Sequence, residues 1–131
     1  LLGMPAGTGG LLVSGGNMAN IAGLAAARRA RVPWDVRALG MRGPASAPTV
    51  TIHASRETHT WVQKAADLLG FGTDAIRWVD CDPDGRMRVD ALARSSGDDR
   101  ARGALPAIVV ATAGTVSTGA VDPIPAIAAL C

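Results

Sequence analysis

Three short stretches hold most of the residues with chemistry to offer. Ser14-Gly15-Gly16-Asn17 stands directly before a run rich in Ala and Leu. His59 stands at the start of a second helical pattern. Gly114 and Thr115 open a loop of Gly, Thr and Ser after a long apolar stretch. A Gly-Gly turn that opens a helix leaves backbone N–H groups unpaired at the positive end of the helix dipole. Such an end holds a phosphate, and without a Cβ the backbone can approach it closely. The same residues also make an ordinary helix start, with Ser14 or Asn17 as the capping side chain. The stretch lacks the Lys-Ser/Thr of a P-loop and the spacing of G-x-G-x-x-G. Taken alone, it therefore leaves cap and anion cradle both open. His59 taken alone reads as a half-buried histidine at a helix start. His53 lies inside a strand pattern and reads as structural. Asp122, before Pro123, reads as the N-cap of a last helix.

The elements that must position these residues alternate. Residues 10–13 read as a brief strand before the Ser-Gly-Gly turn. From Asn17 the spacing of Met18, Ile21, Ala22, Leu24 and Ala25 predicts a helix that Pro33 stops. TVTIHAS (residues 49–55) is β-branched and predicts a strand. Residues 56–70 predict a helix burying Trp61, Ala65, Leu68 and Leu69 and ending at Gly70. Residues 75–81 predict a strand, DPDG (residues 82–85) a turn, and the chain from about Val89 a short helix. PAIVVATAG (residues 106–114) is almost uninterrupted apolar sequence, which predicts a strand buried on both faces. A helix with Pro in its first turn follows. This is an α/β pattern with a mostly parallel sheet flanked by helices. In such sheets ligands gather at the carboxyl ends of strands, where all three stretches fall.

Composition narrows the function classes. The chain has 131 residues, 48% of them hydrophobic, and a formal net charge of +2. That suits one domain or part of a larger one. Arg28, Arg29 and Arg31 cluster at a helix C-terminus, where they complement the dipole in solvent, so the charge makes no case for nucleic acid. Cys81 and Cys131 lie far apart and form neither a disulfide framework nor a metal cluster; a reduced, cytoplasmic setting is the default. No stretch approaches the ~20 apolar residues of a membrane span, and no basic start marks a signal peptide. The chain opens without Met and stops inside an apolar, helix-like run. It is expected to be an internal part of a longer protein.

Together the three segments are more specific than any one of them. GLLVSGGNMANIAGLAAARRAR, ASRETHTWVQKAADLLGFGTDAIRWVDCDPDGRMRVDAL and PAIVVATAGTVSTGAVDPIPAIAALC resemble, in order and spacing, three blocks of the group II pyridoxal-phosphate-dependent amino acid decarboxylases. That family includes the aromatic amino acid, glutamate and histidine decarboxylases. The likeness implies a fold-type-I transferase architecture, with residues 1–131 as part of the large domain that binds pyridoxal 5′-phosphate. The N-terminal segment, the Schiff-base lysine region and the C-terminal small domain would lie outside the chain. It further implies a homodimer acting on an L-amino acid by chemistry that needs no metal. By position, Gly15, Gly16 and Asn17 fall on the phosphate loop. His59 falls on the catalytic histidine that stacks on the cofactor ring, and Thr115 on the loop beside the cofactor.

The chain departs from the family at two places. Many members have Ser or Ala followed by Ser-Glu-Ala where Gly16-Asn17-Met18-Ala19 stand here. Many also have a second Thr where Val116 stands, and Val116 cannot donate a hydrogen bond. The family's aspartate for the pyridine nitrogen and its cofactor-binding lysine are expected beyond residue 131. The single lysine, Lys64, reads as a solvated helix residue. The resemblance implies decarboxylation to an amine. Two rival readings are another fold-type-I activity, such as a carbon–carbon lyase, and a cofactor-free scaffold.

Overall fold

A computed structural model describes residue 3 and residues 5–131. Five helices and three strands follow one another: α1 (Gly16–Arg31), α2 (Val36–Leu39), β1 (Val50–Ser55), α3 (Trp61–Leu68), β2 (Ile76–Val79), α4 (Val89–Ala101), β3 (Leu105–Val110) and α5 (Ile124–Leu130). The strands form one parallel sheet in the order β2-β1-β3. Parallel neighbours cannot be joined by a tight turn, so each connection crosses over through a helix. The helices therefore come to lie on both faces of the sheet.

On one face, Ile52 and Ala54 of β1, Ile76 of β2 and Ile108 of β3 pack against Leu24 of α1 and Val62, Ala65 and Ala66 of α3. On the other, Val79 and Met87 pack with Leu92 of α4 and Ile127 of α5. A smaller cluster of Val32, Val36 and Val50 closes the amino-terminal end of β1. No helix among the described residues is long and apolar enough to cross a membrane.

Several elements differ from the sequence expectation. Residues 10–13 form no strand: they run without a ladder partner, and Leu11 and Leu12 are exposed. The helix expected over residues 56–70 begins only at Trp61. Before it, the Thr58 N–H donates to the Ser55 carbonyl (3.0 Å), the Ser55 and Thr58 hydroxyls pair at 3.2 Å, and the Arg56 N–H donates to the Val79 carbonyl (3.2 Å). These bonds hold residues 55–58 as a turn. The buried face of α3 is Val62, Ala65 and Ala66, and Leu68 is 72% exposed. The expected face was out of phase by about one residue, because Trp61 and Leu69 sit at its margins. The strand buried on both faces is β1, not β3. Central position outweighs hydrophobicity: β1 has neighbours on both sides although it alternates with Thr51, His53 and Ser55, whereas β3 lies at an edge of the sheet.

The arginine cluster also divides. Arg28 is half-buried and donates from Nη1 to the Leu69 carbonyl (2.6 Å), tying the end of α1 to the end of α3. Arg29 pairs with Asp35 in solvent (2.9 Å). Asp122 does not cap α5 with its side chain. It is buried, and its two carboxylate oxygens accept from the Met87 and Thr112 N–H groups, each at 2.7 Å. The Asp122 N–H in turn donates to the Thr112 carbonyl (2.9 Å). One carboxylate thus joins the turn before α4, the exit of β3 and the start of α5.

This packing sets the expected stability of three variants. Ile52→Ala opens a cavity under the central strand and is expected to cost about 2–5 kcal/mol. Leu68→Ala changes an exposed site and is expected to stay within about 0.5 kcal/mol. Asp122→Ala leaves two N–H groups without their acceptor, at roughly 1–3 kcal/mol each. Urea unfolding of the three variants beside the parent protein measures all of these. Equal midpoints for Ile52→Ala and Leu68→Ala would refute the assignment of the core.

Candidate functional site

The three loop segments singled out in the sequence meet in one open cleft of ≈ 730 Å³. Its walls come from the start of α1 (Ser14 to Met18, with Asn20 and Ile21), from the turn after β1 (His59 and Trp61) and from the loop after β3 (Thr112, Gly114 and Val116). Parallel strands put their carboxyl ends on one side. The cleft lies there because β1 and β3 both discharge their loops toward the same end of α1.

The start of α1 answers the question of cap or cradle in part. Its N-cap is Gly15, at φ 154° and ψ 173°, and no side chain caps it. Neither Ser14 nor Asn17 acts as the expected cap. The first helical bond at this end runs from the Ala19 N–H to the Gly15 carbonyl (3.0 Å). The N–H groups of Gly16, Asn17 and Met18 therefore precede the helical ladder and point out of its end. No acidic residue stands in this first turn. A Cβ added at Gly15 or Gly16 meets nothing within 4 Å, so the space beside them is open. The Gly15 backbone is one that side-chain-bearing residues rarely adopt.

His59 is exposed at the cleft, and its Nδ1 accepts from the Trp61 N–H (3.2 Å). Helix start and cleft wall are thus the same residue. A neutral imidazole that accepts at Nδ1 carries its proton on Nε2. The Ser55–Thr58 turn sets where the ring stands, and Ser117, which donates to the Glu57 carboxylate (3.2 Å), joins that turn to the loop after β3.

Thr115 is placed differently from its neighbours. It is buried, its hydroxyl pairs with that of Thr118 (2.7 Å), and its Oγ1 accepts from the Ala120 N–H (3.1 Å). Its own N–H donates to the Ala120 carbonyl (2.9 Å). The hydroxyl is engaged in shaping its own loop, while Gly114 and Val116 on either side line the cleft. Val116 is 80% exposed there and offers a methyl surface. Lys64 is exposed on α3 and is not among the cleft residues.

Sequence reasoning missed five lining residues, of which Met18 was counted only in the apolar spacing of the first helix. Asn20 and Ile21 lie one turn into α1, on the side that Gly16 and Asn17 begin, and helical spacing from Gly16 could have found them. Trp61 follows His59 by two residues and was assigned wholly to the core. Thr112 was read as strand, and only the early end of β3 brings it to the cleft. Among the described residues no group of His, Cys, Asp and Glu could hold a metal ion.

Comparison with known proteins bears on the whole chain. Residues 1–131 match the pyridoxal-dependent decarboxylase conserved domain. Human cysteine sulfinic acid decarboxylase is 39% identical over 122 residues, covering 93% of this chain and 24% of that protein. The aromatic-L-amino-acid decarboxylase of Bacillus atrophaeus is 36% identical over 131 residues, 100% of this chain and 25% of that protein. Among solved structures, mouse CSAD superposes with a TM-score of 0.87 at 37% identity, over 94% of this chain and 25% of that one. Oryza sativa TDC with PLP and tryptamine superposes with a TM-score of 0.76 at 31% identity, over 90% and 24%. The chain spans about a quarter of the length of the curated relatives it matches. With a match along its whole length and a fold shared with these enzymes, the chain belongs to the pyridoxal-dependent decarboxylase family.

Proposed function

We propose that the full-length protein removes the carboxylate of an L-amino acid with pyridoxal 5′-phosphate, and that residues 1–131 are part of its cofactor-binding large domain. The observation that carries this reading is the cleft in which the uncapped start of α1, His59 and the loop after β3 converge. The residues present fit the cofactor. An uncapped helix end with adjacent Ser14, Asn17 and Asn20 suits a phosphate. Ile21, Trp61 and Val116 suit a flat ring, and among the described residues no carboxylate lines the cleft to repel an anion.

When bound, pyridoxal phosphate supplies an electron sink for the pair released as the bond to the substrate carboxylate breaks. The chain's own part is binding and orientation. The N–H groups of Gly16, Asn17 and Met18 take the phosphate charge, supported by the dipole of a 16-residue helix. Gly15 holds the turn in the conformation that leaves these groups free. His59, with Nδ1 held by the Trp61 N–H, would stand against the cofactor ring and help to fix its plane. Val116 and Trp61 would offer apolar surface to the edge of the ring. Thr115, through its bonds to Thr118 and Ala120, keeps the opposing loop in place. The lysine and aspartate that the family uses on the cofactor are assigned to other parts of the full-length protein. The family likeness also supports a homodimer, and a cytoplasmic setting rests on the two widely spaced cysteines. The small net charge of +2 fits a small-molecule substrate rather than nucleic acid or a membrane.

The experiment is release of carbon dioxide from a panel of L-amino acids by the full-length protein, with cofactor absorbance followed in parallel. Absorbance without carbon dioxide would favour a carbon–carbon lyase, and no cofactor absorbance a bare scaffold. Gly16→Val is expected to weaken cofactor binding about tenfold or more, the equivalent of one lost charge-assisted hydrogen bond of roughly 1.5–3 kcal/mol. Urea unfolding of the apo-protein serves as its control. A variant that lost apo stability but bound cofactor normally would reduce the loop to a turn. His59→Ala is expected to keep the fold and lower turnover, since ring stacking is worth roughly 0.5–1.5 kcal/mol and misorientation of the reacting bond costs more. Parental turnover and cofactor affinity in His59→Ala would leave only its helix-start role.

A further inference from the structure

The loops after β1 and β3 that wall the cleft are each stiffened from within. In the first, Thr58 is buried and its hydroxyl pairs with that of Ser55 (3.2 Å); in the second, Thr115 is buried and its hydroxyl pairs with that of Thr118 (2.7 Å). Each loop is also tied to the chain after β2. The Arg56 N–H donates to the Val79 carbonyl (3.2 Å) and its Nε to Asp80 (2.9 Å), while Asp122 accepts from the Met87 N–H (2.7 Å). Among the described residues, one hydrogen bond joins the two loops directly: the Ser117 hydroxyl donates to Oε2 of Glu57 (3.2 Å).

The stem of Glu57 is held for this bond. Glu57 is half-buried, and its Cγ lies beside Gly85 of the turn at residues 82–85, where an added Cβ would stand 3.9 Å from it. The same added atom would stand 3.4 Å from Oγ1 of Thr118 and 3.6 Å from Cβ of Ala120. The backbone of Gly85 thus lies against the Glu57 stem and against the loop that carries Ser117. Its φ of 78° is in the left-handed region, which glycine adopts without strain. A carboxylate whose stem is already ordered loses less freedom when it accepts from a hydroxyl.

Neither Glu57 nor Ser117 is among the cleft residues, but each stands close in the chain to one that is. Glu57 lies two positions before His59, and Ser117 one position after Val116. The span between the His59 and Val116 walls is therefore set by two stiff loops and by the bond that fastens one to the other.

We propose that Glu57 and Ser117 form a clamp that fixes the separation of the His59 wall from the Val116 wall, and that both are positioning residues for the group the cleft binds. With the clamp closed, both walls meet the ligand already in place. With it open, one wall must be ordered on binding, and that cost is subtracted from affinity. The positioning role rests on the proposed cofactor reading; the clamp itself does not.

The test uses the full-length protein with Ser117→Ala, Glu57→Ala, Glu57→Gln and the double alanine variant. Amide hydrogen exchange of the apo-protein reads the clamp. Either single alanine substitution is expected to raise exchange in both loops, residues 55–60 and residues 114–121, including the loop left unaltered. Exchange that rises only in the substituted loop, or in neither, overturns the clamp. Titration with pyridoxal 5′-phosphate reads the positioning. Each single alanine variant is expected to bind it about three- to tenfold more weakly, the reach of one hydrogen bond of ordinary strength. The double variant is expected to bind no more weakly than either single, because the same bond is lost once. Visible circular dichroism, which a flat cofactor ring acquires from fixed surroundings, is expected to fall in these variants and to return in Glu57→Gln, whose amide oxygen still accepts from Ser117. Additive losses, or parental affinity and dichroism in both alanine variants, overturn the positioning role. Should Glu57→Ala fail to fold, Ser117→Ala, which alters one exposed hydroxyl, carries the test. A parent protein that binds no cofactor removes the cofactor reading and the positioning role with it, and exchange still decides the clamp.

Discussion

Parallel pairing of β1 with both of its neighbours is the constraint from which the rest of the arrangement follows. A parallel neighbour can be reached only by carrying the chain back across the sheet, and helices α3 and α4 do so. All three strands then end on the same side. The Ser55–Thr58 turn and the loop at residues 111–121 must emerge there together, and α1, packed on β3 and α3, sets its first turn beside them. No residue of the cleft has to seek out another along the sequence. The topology delivers them to one edge, and short local bonds such as Ser55–Thr58 and Thr115–Thr118 complete the placement.

At that edge, stability has been left unclaimed. A side chain at the N-cap of α1 would satisfy one of its free N–H groups, a gain of roughly a few tenths of a kcal/mol over glycine. The chain puts Gly15 there instead, with Gly16 after it and no side-chain bond. The loop across the cleft does the opposite. Thr115 is bound to Thr118 and Ala120, and Asp122 to Thr112 and Met87, so that little of their polar capacity remains free. One wall thus keeps its donors available and the other consumes its own in becoming rigid. A ligand that brings negative charge completes the first wall and is aligned by the second.

How far this was legible in the sequence depends on what each feature is made from. Local chemistry was legible: the turn at residues 82–85, the helix from Gly16 to Arg31, the strand at Val50–Ser55 and the three loop segments all follow from residue types and spacing. Features that depend on a neighbour were not. Residues 10–13 have the composition of a strand but no partner. Apolar β3 lies at an edge, and β1, with Thr51, His53 and Ser55, lies at the centre. Asp122 beside Pro123 looks like a cap in one dimension and is a three-way tie in space. Gly15, Gly16, Asn17 and His59 could be placed on the cleft from pattern and family likeness. That Thr115 turns its hydroxyl into its own loop could not, because the partner that takes it, Thr118, is equally able to face a ligand.

The two histidines show the same limit within a single strand and its following turn. They lie six positions apart in the sequence, both among Thr and Ser. The alternation of a strand sends His53 inward, toward Asp99 and the guanidinium groups around it. The turn that ends the strand sends His59 outward to the cleft, where the Trp61 N–H donates to its Nδ1. Burial disfavours the charged form of one imidazole, and a single hydrogen bond orients the other. The difference between a buried element of stability and a group able to meet a ligand was set by the end of β1 at Ser55, not by the chemistry of the side chain.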